Sequence, residues 1–130
     1  LYEEMQHDCG GTILTDSHVL TAASCVDRLK PEYIPDVSVA AGMHFLLEKS
    51  TYVRKAKAIY IHPRWNKDIN DLTDDIAIIH LKEPFNFTDN TYIARSCVPR
   101  RDLSIPVTEY PQANSTLMTV GWGYRTQPPN

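Results

Sequence analysis

Short apolar runs recur along the chain between clusters of proline, glycine and polar residues, and that spacing predicts strands rather than long helices. The runs place strands at residues 11–14, 19–21, 37–41, 52–61, 76–81 and 117–120. Val37-Ser38-Val39 and Lys55-Ala56-Lys57-Ala58 alternate with a period of two, which predicts strands with one buried and one wetted face. Ile76-Ala77-Ile78-Ile79 is continuously apolar, which predicts a strand covered on both faces. Nine prolines, from Pro31 to Pro129, break up any helical reading. The pattern is that of an all-β barrel or sandwich with no internal repeat. Residues 97–114, with prolines at 99, 106 and 111, read as a connector between a first compact unit and the start of a second. The tail Gln127-Pro128-Pro129-Asn130 reads as a loop, so the C-terminal end looks unfinished.

Composition narrows this picture. At 130 residues the chain is one modest domain or half of a larger one, and 42% hydrophobic with 22% charged residues is ordinary for a folded globule. A formal net charge of −3 argues against a nucleic-acid or anionic-membrane partner. The basic pairs Arg54-Lys55 and Arg100-Arg101 are local exceptions that read as solvated faces. No apolar stretch approaches the roughly 20 residues that span a bilayer. Leu1-Tyr2-Glu3-Glu4-Met5-Gln6 lacks the charged and apolar regions of a secretion signal and reads as an interior cut. Three cysteines are an odd count, which implies one bond leaving the segment. Asn86-Phe87-Thr88 and Asn114-Ser115-Thr116 are glycosylation sequons, with Asn86 and Asn114 as acceptors, and together with the cysteines they predict a secreted, extracellular chain.

Four stretches then appear in a telling order: Cys9-Gly10-Gly11-Thr12-Ile13-Leu14, Val19-Leu20-Thr21-Ala22-Ala23-Ser24-Cys25, Asp75-Ile76-Ala77-Ile78-Ile79, and Val120-Gly121-Trp122-Gly123. Together with His62-Pro63 they resemble the chymotrypsin-like (trypsin, S1) serine proteases over nearly the whole chain. The resemblance implies the fold class: all-β, the first antiparallel barrel of a two-barrel fold, incomplete at both ends. Residues 1–98 would be that first barrel without its first strand, and residues 99–130 the inter-barrel connector and the start of the second barrel. Its missing N- and C-terminal segments would then be partners of this chain.

The family's mechanism needs serine, histidine and aspartate in one hydrogen-bonded line, and the family is the standard worked example of it. Asp75, followed by Ile76-Ala77, matches the aspartate position. Ser24, immediately before Cys25, stands where the family has histidine. A serine hydroxyl has no basic form near neutral pH, so it cannot accept the proton that an imidazole accepts. The remaining histidines, His7, His18, His44, His62 and His80, read as structural or surface residues; His18 lies on the far side of a strand from position 24. The nucleophile's Gly-Asp-Ser-Gly-Gly-Pro string does not occur in the sequence.

Cys9 and Cys25 bracket a short turn between two apolar runs and are expected to be joined by a disulfide, which for a loop of about 15 residues stabilises by roughly 3 kcal/mol in the chain-entropy model. A metal site is the rival reading, but no nearby Cys-x-x-Cys or histidine pair completes a tetrahedral set. Gly10-Gly11 would remove side chains where a backbone passes closely or takes positive φ. Cys97 resembles the position that tethers an upstream segment, which accounts for the odd cysteine. Gly42-Met43-His44 lacks the glutamate of the family's calcium loop, so neither calcium nor any other metal or cofactor is expected. The functional expectation is a secreted serine protease homologue that binds a protein or peptide partner, such as a member of a protease cascade, without cutting it. The alternative is a serine-type endopeptidase in which Ser24 is atypical.

Overall fold

The computed structural model describes residues 7–46, 50, 52–66, 73–88, 92–98, 111 and 113–123. Five antiparallel strands carry the fold: β1 (Thr12–Ile13), β2 (His18–Thr21), β3 (Ser38–Ala41), β4 (Tyr52–Ile61) and β5 (Ala77–Leu81). They form a sheet in the order β1-β2-β5-β4-β3. This antiparallel, mostly β architecture agrees with the all-β expectation from the sequence pattern. β5 is the central strand: Val19 lies opposite Ile79 on one side and Ile59 opposite Ile79 on the other. Its side chains alternate between buried Ala77, Ile79 and Leu81 and half-buried Ile78 and His80. The expectation of cover on both faces holds fully for one of them only: one face of β5 is the core and the other is partly shielded.

β4 shows the predicted alternation, with Ala56 buried between exposed Lys55 and Lys57. A register shift between Ala56 and Ala58 interrupts the β4–β5 ladder. The basic pair in this strand is only half solvated. Lys55 is exposed, but Arg54 donates from Nε to the Pro84 carbonyl at 3.1 Å and lays its guanidinium over the Phe85 ring, 5.5 Å from the centroid.

Two small clusters make the core. Val19, Ala56, Ile79, Leu81, Phe85 and Ile93 form one, and Ala23, Val26 and Ala77 the other, with Trp65 packed against it. Leu81 is 2% exposed, and burying such a side chain stabilises by roughly 1.5–3 kcal/mol. Gly42 ends β3 at φ +70°, and a Cβ there would stand 2.7 Å from Tyr52 Cδ2. The close approach and the left-handed backbone both demand glycine.

The chain divides into two compact units, 1–97 and 98–130. In the second, the expected strand at 117–120 does not form. An extended segment becomes a strand only by hydrogen bonding to a neighbour, and among the described residues none pairs with it. Most of the connector, the pair Arg100-Arg101 and the tail 127–130 lie outside the described residues.

Two elements were not anticipated. α1 (Ala23–Val26) follows β2, and a 310 helix covers Pro31–Asp36 with Pro31 at its start and Pro35 inside it.

Candidate functional site

The site is assembled by the β2–β5 ladder. Thr21 pairs with Ala77 at one end of it, so the chain leaving β2 and the chain entering β5 emerge side by side. Three residues beyond Thr21 is Ser24, in α1; two residues before Ala77 is Asp75. The Ser24 backbone N–H donates to Asp75 Oδ1 at 2.7 Å, and the Ser24 hydroxyl donates to Asp75 Oδ2 at 2.8 Å. Both carboxylate oxygens are thus held by one residue across a separation of 51 positions. Bonds of this kind, with an ionised acceptor, are the stronger class. The residue before α1, Ala22, makes no side-chain cap, so Asp75 supplies from a distance the acceptor that the first turn of α1 lacks locally.

The surroundings of Ser24 are pinned by a covalent bond. Cys9 and Cys25 form a disulfide with Cα atoms 6.2 Å apart, within the usual range. Thr21 Oγ1 donates to the Gly10 carbonyl at 2.9 Å on the same segment. The two glycines there differ, which corrects the joint reading of Gly10-Gly11. A Cβ on Gly11 would stand 2.8 Å from Val19 Cγ1 and 3.1 Å from the Leu20 carbonyl oxygen, whereas one on Gly10 would meet nothing within 4 Å. Neither takes positive φ. Only Gly11 is required by a close approach.

Asp74 and Asp75 are adjacent but serve different partners, because Asp74 turns the chain at φ +58°. Arg64 grips Asp74 with Nη2 to Oδ1 at 3.1 Å and Nε to Oδ2 at 3.0 Å. His62 Nδ1 receives the Arg64 backbone N–H at 3.3 Å, so that nitrogen presents a lone pair, and its 3.8 Å approach to Asp74 is not a hydrogen bond. Trp65 Nε1 donates to Asp27 Oδ2 at 3.1 Å, tying the segment after β4 to the end of α1. The sequence reading missed the Arg64–Asp74 and Trp65–Asp27 contacts. Its one available signal was the Asp74-Asp75 pair itself, since two adjacent acids need separate donors.

The other predicted residues lie elsewhere. His18 and His80 face each other at the opposite end of the β2–β5 ladder from Ser24. His7 and His44 are exposed surface residues. Cys97 is exposed, with a free thiol in this chain. Asn86 and Asn114 are exposed, and the Asn86 side-chain oxygen accepts the Thr88 N–H at 2.9 Å. Among the described residues no three His, Cys, Asp or Glu side chains converge to hold a metal, and no helix is long and apolar enough to cross a membrane.

Comparison with known proteins places this geometry in context. The family model described as Trypsin matches residues 1–129. Mouse chymotrypsin-C is 35% identical over 121 residues, covering 91% of this chain and 40% of the relative. Rat prostatic glandular kallikrein-6 is 31% identical over 134 residues, covering 95% of this chain and 45% of the relative. The chain therefore spans about two-fifths of the length of these curated relatives. Among solved structures, the scabies mite inactivated protease paralogue S-D1 superposes with a TM-score of 0.58 at 35% identity, over 70% of this chain and 35% of that one.

Proposed function

The chain belongs to the trypsin family of chymotrypsin-like serine proteases, and from that premise we propose that it is part of a secreted protease homologue that binds a protein or peptide without cleaving it. The observation that carries this reading is the double hydrogen bond from Ser24 to Asp75. Asp75 stands at the position of the triad aspartate and Ser24 at that of its histidine, whose role it cannot perform. An aspartate in this family orients an imidazole; here both of its oxygens are engaged by a residue that cannot take up a proton. Loss of the histidine base from a subtilisin-type triad costs on the order of 10⁶ in kcat. At about 1.36 kcal/mol per decade, that is roughly 8 kcal/mol of transition-state stabilisation. No local contact offsets a term of that size. The mite paralogue, described as inactivated, supports the same reading. Secretion, glycans at Asn86 and Asn114, and a disulfide from Cys97 to another segment of the domain belong to this proposal.

A second reading, a serine-type endopeptidase with an atypical residue at position 24, draws support from relatives named as proteases, chymotrypsin-C among them. The full-length protein treated with a fluorophosphonate probe separates the two. The expected result is neither covalent labelling nor peptide hydrolysis. Labelling together with hydrolysis that Asp75→Asn abolishes would establish the second reading instead. In the 130-residue chain, Ser24→His is expected to restore no peptidase activity, because the sequence contains no Gly-Asp-Ser-Gly-Gly-Pro nucleophile segment.

A further inference from the structure

Three lysines stand together on the outer face of the sheet, at the end of β5 away from Asp75. Ala56 on β4 faces Leu81 on β5, and both are buried in the core. The Lys82 backbone N–H donates to the Lys55 carbonyl at 2.8 Å, which extends that ladder by one pair. Lys55 and Lys82 are therefore directly opposite each other. As neighbours of inward-facing residues they point to the other side of the sheet, where both are exposed. Lys57, on the far side of Ala56, is exposed as well, at the register shift that interrupts the ladder before Ala58. Ser38 of β3 lies opposite Lys55 and adds no charge.

Like charges directly opposite on neighbouring strands repel, and nothing local relieves them here. Among the described residues, none of the three ammonium groups enters an ion pair or a hydrogen bond. Asp36, shortly before β3, and Glu83, next to Lys82, are acids close to them along the chain; both are exposed, and neither is ion-paired. The chain's formal net charge is −3, so the three lysines are a local reversal of sign. From this arrangement we propose that Lys55, Lys57 and Lys82 form a docking surface for an extended acidic segment of a partner protein, one that carries carboxylates at alternate positions.

Charge complementarity sets the sign of the ligand, and spacing sets its form. Lys55 and Lys57 are two residues apart on one strand, roughly 6–7 Å, and alternate side chains of an extended peptide share one face at the same interval. A segment lying along β4 therefore brings successive carboxylates over Lys55 and Lys57, while Lys82 meets the first of them from the neighbouring strand. A long polyanion, such as a sulfated polysaccharide, fits less well. It would run on past the lysines over a molecule of net negative charge. A short acidic segment senses the lysines alone, because screening confines their field to about 8 Å at physiological salt. Such a segment would belong to the protein or peptide partner proposed above, and the assignment rests on that reading only for the existence of a partner.

The test is fluorescence anisotropy of a labelled peptide of alternating glutamate and glycine, added to the full-length protein at low salt. Saturable binding is expected, weakening as salt is raised. Lys55→Gln, Lys57→Gln and Lys82→Gln should each reduce the affinity by about 2–5-fold, and the triple variant by at least about tenfold. Arg28→Gln removes the same charge from an exposed position beyond α1 and should leave binding unchanged. Exposed lysines tolerate substitution, and melting curves verify that each variant is folded. The backbone amide signals of residues 55–57 and 82 in the unsubstituted protein should shift on addition of the peptide, which gives the same answer without any variant. Absence of saturable binding, equal binding of a glutamine–glycine peptide, or affinity unchanged in the triple variant overturns the proposal. So does an equal loss in Arg28→Gln, or a heparin oligosaccharide that binds these lysines more tightly than the peptide does. None of these readouts depends on peptide cleavage, so they stand or fall separately from the fluorophosphonate result.

Discussion

A single carboxylate carries most of what is unusual here. Asp75 holds Ser24 twice, through the backbone and through the hydroxyl, and the two bonds can be separated by mutation. Ser24→Ala removes the hydroxyl bond and leaves the backbone N–H bond to Oδ1. At a wetted position this costs about 0.5–1 kcal/mol. Asp75→Ala removes both and strips the first turn of α1 of its acceptor, for roughly 1–2 kcal/mol. Urea denaturation of the full-length protein should show that ordering, and equal losses would mean that the backbone bond contributes nothing. The adjacent glycines give a sharper contrast at the same scale. Gly11→Ala forces a Cβ to within 2.8 Å of Val19 in the core, whereas Gly10→Ala meets open space. Overpacking of this kind costs on the order of 1–3 kcal/mol. The expected outcome is a clearly lowered melting temperature for the first variant and an almost unchanged one for the second.

At the level of elements, the strands were legible wherever a local period survives. The ten-residue β4, with alternation at its centre, was read to its ends, and β5 to within one residue, because a strand's inward and outward positions are written into the sequence every second residue. α1 was not legible, and the reason is physical. Four residues are too short for a helical period, and the acceptor that completes the first turn arrives from Asp75, 51 positions away. The 310 helix at Pro31–Asp36 carries a proline inside it, which on local rules reads as a loop. The same limit applied to the site. The motifs singled out Ser24 and Asp75, but that Ser24 occupies both oxygens of Asp75 is a fact of the β2–β5 register. The cross-link around α1 has its own consequence. Joining Cys9 to Cys25 closes a loop of 16 positions, worth about 3 kcal/mol in the chain-entropy model. Replacing both cysteines by alanine should lower the denaturation midpoint by a corresponding amount, and addition of a reductant to the unsubstituted protein should reproduce that loss.

On the scale of the whole chain, the question is how far so modest a core sustains a cooperative fold. Nine buried apolar side chains are described, three of them alanines, and Leu81 and Phe85, at 2% and 3% exposure, are the large ones most fully enclosed among them. Against these stand exposed apolar groups on the sheet and its approaches, among them Tyr60 at 58% and Phe45 at 67%. Among the described residues β1 and β3 are the outer strands of the sheet; the Ile13 carbonyl of β1 takes the Ser96 N–H at 2.8 Å, and no described strand pairs with the outer side of β3. Open strand edges recruit other chains unless they are covered. Ordering each residue costs about 1–2 kcal/mol of backbone entropy, and a core of this size offsets that sum with little to spare. The 130-residue chain produced alone should therefore melt broadly and bind a hydrophobic dye before any transition. If the chain is part of a longer domain, as proposed, that full-length protein should melt in one sharp step. A sharp, dye-free transition of the 130-residue chain would show that the five-stranded sheet and its two small clusters suffice by themselves.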